Sequence, residues 1–204
     1  MIKGYWLSLV LVLSGCILHA QSNTGYLYIS YQISVKENKK ASLSAESYDG
    51  ATKNIFISGD RARIRLVSLM RTQSLYYFNN DQNRQAVIVK ESGKQKEQAA
   101  LSADGWKKYN ADFDGAACVI MKETVRILQY NCRKAVIMLK SGAQVVVYYT
   151  DEIANTIFPA AEPMFGCIPG IVLKYIYTTR STTTSYTAQQ VSQDKIAEKV
   201  FELN

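Results

Sequence analysis

The chain has 204 residues, 48% of them hydrophobic and 20% charged, the make-up of an ordinary globular domain rather than a disordered or fibrous one. Lys and Arg outnumber Asp and Glu by 24 to 17, a formal charge of +7, and the single histidine, His19, falls near the N-terminus. A chain whose body holds no imidazole cannot build a histidine-based triad, a Cys–His pair or a His-ligated metal site.

Residues 1–20 read as an export signal: Lys3 supplies the positive start, Tyr5 to Leu13 is a short apolar run, and small residues follow. The run is well short of the roughly 20 residues that span a bilayer. Two processing routes fit. Leu13-Ser14-Gly15-Cys16 matches the bacterial lipoprotein box, which makes Cys16 a lipidation candidate; cleavage after Ala20 is the alternative. Residues 21–204 then form one β-rich domain. Its cysteines, Cys118, Cys132 and Cys167, match no CxxC metal or redox spacing, and the expected bridge is Cys118–Cys132, between neighbouring strands.

Beyond residue 23 the pattern alternates with period two. In Gly25 to Val35, Leu27, Ile29, Tyr31, Ile33 and Val35 share one strand face. A strand ending at Ile57 turns at Ser58-Gly59-Asp60 into Arg61 to Val67, with Arg61, Arg63 and Arg65 on one face and Ala62, Ile64 and Leu66 on the other. Ser74 to Phe78 and Gln85 to Lys90 flank the turn cluster at Asn79 to Asn83. Lys94 to Ala103, rich in Lys, Gln, Glu and Ala, predicts a helix that ends at Asp104-Gly105. Strands resume over Cys118 to Gln129, Cys132 to Lys140 and Gln144 to Thr150, and Asp151 to Met164, with Pro159 and Pro163, reads as irregular. Ile171 to Thr179 and Ser185 to Val191 make a last hairpin, and Asp194 caps a short C-terminal helix carrying Ile196, Val200 and Leu203.

This order predicts a mainly β fold: a single antiparallel sheet of nine or ten strands with a few short helices. So large a sheet curls, because strands twist, into a half-barrel whose concave side is apolar.

Phe165-Gly166-Cys167-Ile168-Pro169-Gly170-Ile171-Val172-Leu173 resembles the motif that names the GLPGLI family of exported, uncharacterised Bacteroidetes proteins, with Cys167 at the first glycine of the motif. Asn131 to Ala135 and Val147 to Asp151 are similar to two further family stretches, and the resemblance is best over residues 125–175. It implies, by fold-level analogy, likeness to the periplasmic lipoprotein-carrier superfamily, whose curled sheets accept acyl chains on the concave face. Read from the residues alone, Cys167, Ile168, Pro169, Gly170, Ile171 and Val172 need no catalysis: Pro-Gly turns the chain into the following strand, and Gly170 supplies a backbone shape other residues avoid.

Other chemistries find little support. Asp112 with Asp114, and Asp151 with Glu152, are neighbours on loops rather than carboxylates from separate elements facing a cleft. Asn110 to Gly115 resembles half a calcium loop, but Met121 stands at the twelfth position, where a Glu is required. No metal or cofactor is expected. Export argues against nucleic acid as a partner for the basic charge. The arginine row would meet anionic headgroups or polysaccharide, or be a plain solvated face. Trp106 reads as a packed loop aromatic rather than a lid.

The expectation is a non-enzymatic envelope protein that binds a lipid or lipophilic small molecule, or a lipid-modified partner. Contact with the membrane would come only through a lipid anchor or the protein surface. The expected concave lining is Leu27, Ile29, Tyr31, Ile33, Ile64, Leu66, Val125, Ile127, Tyr149, Leu173 and Tyr175. The alternative is a structural or protein-interaction module of the envelope, its concave face packed and empty of ligand.

Overall fold

The computed structural model describes residues 25–37, 48–179 and 182–203. The export segment, with Cys16 and both processing routes, lies outside them. The described strands are β1 (Tyr26–Glu37), β2 (Thr52–Ser58), β3 (Arg61–Val67), β4 (Thr72–Phe78), β5 (Ala86–Ser92), β6 (Gln95–Leu101), β7 (Ala117–Ile127), β8 (Tyr130–Met138), β9 (Gln144–Thr150), β10 (Ile171–Thr178) and β11 (Thr182–Ser192). Two short helices, α1 (Ala103–Tyr109) and α2 (Phe158–Ala161), and 3-10 turns at Ala111–Phe113, Pro163–Phe165 and Glu198–Phe201 complete the described chain.

All eleven strands form one antiparallel sheet in the order β6-β5-β4-β3-β2-β1-β11-β10-β9-β8-β7. Every hairpin pairs sequence neighbours. The first and last strands, β1 and β11, pair in the middle, and the sheet is left open between β6 and β7. Those two strands follow one another in the chain. Laid flat, eleven strands about 4.8 Å apart would separate them by about 50 Å. The link 102–116 contains α1 and a 3-10 turn, which advance only about 1.5 and 2 Å per residue, so it cannot reach that far. The sheet must curl to bring its edges together. Inward rows from both halves accordingly share one core: Ile55, Ile57, Ala62 and Ile64 with Ala135, Ile137, Val145 and Val147.

Register carries the alternation across the sheet. Leu27 faces Ile57 and Ile29 faces Ile55, while Ile57 faces Ala62 and Ile55 faces Ile64. Arg61, Arg63 and Arg65 stand on the opposite, convex face, beside Phe78, Tyr76 and Ser74 of β4. This face is not simply solvated. The C-terminal 3-10 turn docks on it: Arg61 Nη2 lies 2.7 Å from Glu198 Oε2, Arg63 Nη1 donates to the Val200 carbonyl at 2.9 Å, and Phe201 packs under the Arg61 guanidinium.

Four expectations are corrected. The helix expected over Lys94 to Ala103 is strand β6, paired with β5 along its whole length; the free edge of β5 outweighs helix propensity, and α1 begins where the helix was expected to end, capped by Ser102 Oγ accepting from Gly105 N at 3.2 Å. Asp194 caps no helix. Its carboxylate takes the Ser192 hydroxyl at 2.6 Å, and the residues beyond follow the arginines as a 3-10 turn. The disulfide joins Cys118 to Cys167, leaving Cys132 free and buried. In the β7–β8 hairpin Cys118 faces Ile137 whereas Cys132 faces Val125, so the expected pair never meets. Gly170 has no left-handed φ; an added Cβ would press on the Thr150 carbonyl oxygen and the Tyr149 ring, so glycine is needed for closeness rather than freedom.

Candidate functional site

The concave face is covered by the chain itself. Between β9 and β10 the segment 151–170, expected to be irregular, folds back over the sheet and buries Ile153, Ile157, Phe158, Ala161, Phe165 and Ile168. Phe158 stacks on Phe165 at 5.8 Å, and Phe165 meets Tyr175 edge-on at 5.0 Å. From the other side α1 lays Trp106 against Tyr77, and the indole Nε1 donates to the Ala160 carbonyl at 3.3 Å. The Cys118–Cys167 bridge ties the covering segment to the edge strand β7.

The expected lining therefore divides into three groups. Leu27, Ile29, Tyr31, Tyr149, Leu173 and Tyr175 are at most 3% exposed and share one core with the cover, while Ile33, 1% exposed, is buried outside that cluster. Ile64 and Leu66 do border open space on the concave side. Val125, 43% exposed, and Ile127 border a cleft with Lys134, Tyr148 and Lys174. Those three face one another across β8, β9 and β10 in the row opposite Ala135, Val147 and Tyr175, so the cleft lies on the convex side. Cys118 and Ile120 oppose the inward Ile137 and Ala135, and the irregularity between Ile120 and Thr124 inserts two residues and so keeps that parity, which leaves the odd-numbered Val125 and Ile127 on the convex side.

Two cavities border the cover, and the smaller lies between it and the sheet. The larger, of about 560 Å³, lies among α1, the turn at Ala111–Phe113 and the covering segment, with Trp106, Phe113, Ala116, Pro159, Met164 and Cys167 in its wall. The smaller, of about 230 Å³, reaches the sheet at Ile64, Leu66, Gln73 and Leu75. They adjoin, sharing Trp106, Asn110, Phe113, Pro163 and Met164. Volumes of this order suit small apolar ligands.

A charge pair joining sheet and cover lines the smaller cavity. Lys53 Nζ lies 2.6 Å from Glu162 Oε1 and donates to Tyr175 OH at 3.1 Å, with the lysine and glutamate side chains 12% and 11% exposed. The Tyr175 and Tyr186 rings stack at 4.1 Å below the ammonium. Burial alone would lower the Lys53 pKa; the adjacent Glu162 carboxylate outweighs it, with help from Tyr186 and Tyr31, and the net direction is upward. Burial pushes the phenols of Tyr31 and Tyr175 well above their ordinary value and raises Tyr186 too. Tyr31 OH donates to the Val172 carbonyl at 2.5 Å, fixing β1 to β10 through the core.

Lys53, Glu162, Tyr186 and Met164 were not among the expected lining. The sequence does hold a signal for the cover: Ile153, Ile157, Ala161, Phe165 and Ile168 recur every three or four residues, a helical apolar stripe that Pro159 and Pro163 disguise. Nothing local marks Lys53 and Glu162 as partners, because they come from different ends of the chain. The loop carboxylates have surface roles: Asp151 pairs with Arg133 at 2.5 Å, Glu152 accepts from Asn131 N at 2.8 Å, and Asp114 lies 3.8 Å from Lys140. Asn110 caps its own helix, its side-chain amide donating to the Trp106 carbonyl at 2.9 Å. Among the described residues no cluster of three or more His, Cys, Asp or Glu side chains is placed to hold a metal ion.

The class these features define is an open, curled antiparallel sheet with a plug of its own chain on the concave side. No family model matches the chain, so the GLPGLI resemblance rests on its motif residues, and no curated protein matches it. Solved structures show partial similarity to it. PNGF-II, in a P21 crystal form, is 16% identical with a TM-score of 0.49 over 88% of this chain and 30% of that one. The MucA/MucB complex of Pseudomonas aeruginosa is 11% identical with a TM-score of 0.48, covering 90% and 58%. The lipoprotein LppX of Mycobacterium tuberculosis is 9% identical with a TM-score of 0.36, covering 85% and 90%. The chain spans less than a third of the PNGF-II structures it matches.

Proposed function

We propose that the protein is a non-catalytic, exported binding protein that takes a lipophilic ligand in the paired cavities between α1 and the covering segment, rather than along the whole concave face. The observation that carries this reading is the 560 Å³ cavity walled by Trp106, Phe113, Pro159 and Met164, which adjoins the smaller cavity on the concave face. Each methylene buried there stabilises a complex by about 0.8 kcal/mol. Export is supported by the pattern of residues 1–20 and by a disulfide that an oxidising compartment would preserve. The GLPGLI resemblance fits the same reading.

The chain has two tryptophans, Trp6 and Trp106, and processing at either candidate position leaves Trp106 alone, in the wall shared by both cavities. Titration of the processed protein with a naphthalene-type apolar dye is expected to shift Trp106 emission and saturate at one equivalent. Ala116→Phe, which fills the larger cavity from a half-buried position, is expected to abolish that shift. No shift in the wild-type protein, together with no lipid extracted from protein purified out of a lipid-replete envelope, would leave the packed, ligand-free interaction module as the function.

A further inference from the structure

We infer that the Lys53–Glu162 pair makes the smaller cavity selective for amphiphiles with an uncharged, hydroxyl-bearing head, and against carboxylates. The inference rests on the ligand reading above and deepens it by naming the ligand's polar end. Both side chains line the 230 Å³ cavity, which shares Trp106, Asn110, Phe113, Pro163 and Met164 with the 560 Å³ one, so a chain lying in the larger space can bring its head to them.

The selection follows from charge. Lys53 and Glu162 are 2.6 Å apart and nearly buried, and together they are neutral. Glu162 keeps Lys53 protonated. A carboxylate arriving here would meet Lys53 already neutralised and would stand beside Glu162, leaving one buried negative charge without a partner, which is costly away from water. A hydroxyl head brings no charge. An ammonium has three donors, and among the described residues Lys53 directs two of them at Glu162 and Tyr175. The remaining N–H can donate to a hydroxyl oxygen, and the hydroxyl proton can go to the second oxygen of Glu162. Gln73 and Asn110 add neutral polar groups to the same wall.

The test compares three fourteen-carbon ligands at pH 8 by displacement of the apolar dye from the processed protein: monomyristin, myristate and tetradecane. Monomyristin is expected to bind at least about tenfold tighter than myristate. Glu162→Gln leaves Lys53 as a lone cation and is expected to invert that order without changing tetradecane. The double variant Lys53→Met with Glu162→Leu keeps no buried charge, guards against a failure of Glu162→Gln to fold, and is expected to erase the discrimination while still binding tetradecane. Wild-type protein that takes myristate as tightly as monomyristin, or a preference that survives in the double variant, would overturn the inference and leave the cavity reading intact. Failure of all three ligands to displace or replace the dye would remove both.

Discussion

Gly170 lies where the chain leaves the cover and joins β10, with its backbone against the end of β9. Its importance is steric. An alanine there would bring Cβ onto the Thr150 carbonyl oxygen and the Tyr149 ring, and Tyr149 is fully buried and has no room to retreat. Gly170→Ala is expected to lower stability by about 1–3 kcal/mol, the usual cost of overpacking, as read from the urea midpoint. Pro169 beside it is exposed and belongs to the turn, and Ile171, Val172 and Leu173 are all buried as the chain enters the strand. The motif residues are thus explained by strand packing. Cys132 is a second case of a residue whose place decides its chemistry: fully buried, with its thiol pushed up to about 11 by burial and by nearby Glu152, it is protonated and inert at neutral pH.

At the scale of elements, the C-terminal turn shows which of two contacts matters. Glu198 is 64% exposed in its pair with Arg61, a setting in which ion pairs contribute little. Phe201 is 5% exposed, packed under the same guanidinium on the convex face. Phe201→Ala is expected to cost about 3 kcal/mol and Glu198→Ala under about 1 kcal/mol, both measured as shifts of the urea midpoint. The covering segment follows the same logic more strongly, since Phe158 and Phe165 are wholly sealed and stack on each other. Strand β6 is the converse: all its residues but Leu101 are exposed, and backbone pairing to β5 places it.

For the whole molecule, stability at high pH reports on the closed core. Lys53 has a folded pKa above its ordinary 10.5, and Tyr31, Tyr175 and Tyr186 have theirs above 10.0. In each case the folded state holds its proton more tightly than the unfolded chain. The contribution is complete below the unfolded values and is lost as pH rises through the folded ones. Stability is therefore expected to be insensitive to these four groups at neutral pH and to fall from about pH 10 upward. Urea midpoints from pH 7 to 11 check the sign, and tyrosinate absorbance should rise for part of the fourteen tyrosines only on unfolding. A midpoint that climbs across that range would mean that the core around Lys53 is open to water.

The alternation of apolar and polar residues by itself determined most of the strands, their pairing with sequence neighbours and most inward rows, because period-two patterning is local and each short turn leaves one partner within reach. Leu27, Ile29, Tyr31, Leu173 and Tyr175 were legible as inward residues for that reason. Propensity misled at β6, where an edge strand is chosen by its neighbour, and the face of Val125 and Ile127 was misassigned because an apolar row on β7 lies on the convex side, in the cleft with Lys134. Only the tertiary structure decided that the inward rows are floor rather than wall. The apolar stripe of the segment 151–170 marks one buried face, but where that face docks, and that Trp106 meets it, is an agreement between surfaces from distant parts of the chain, which no local pattern records. The same reason hides the Cys118–Cys167 bridge and the Lys53–Glu162 pair until the curled sheet brings β7 to the cover and the cover to β2.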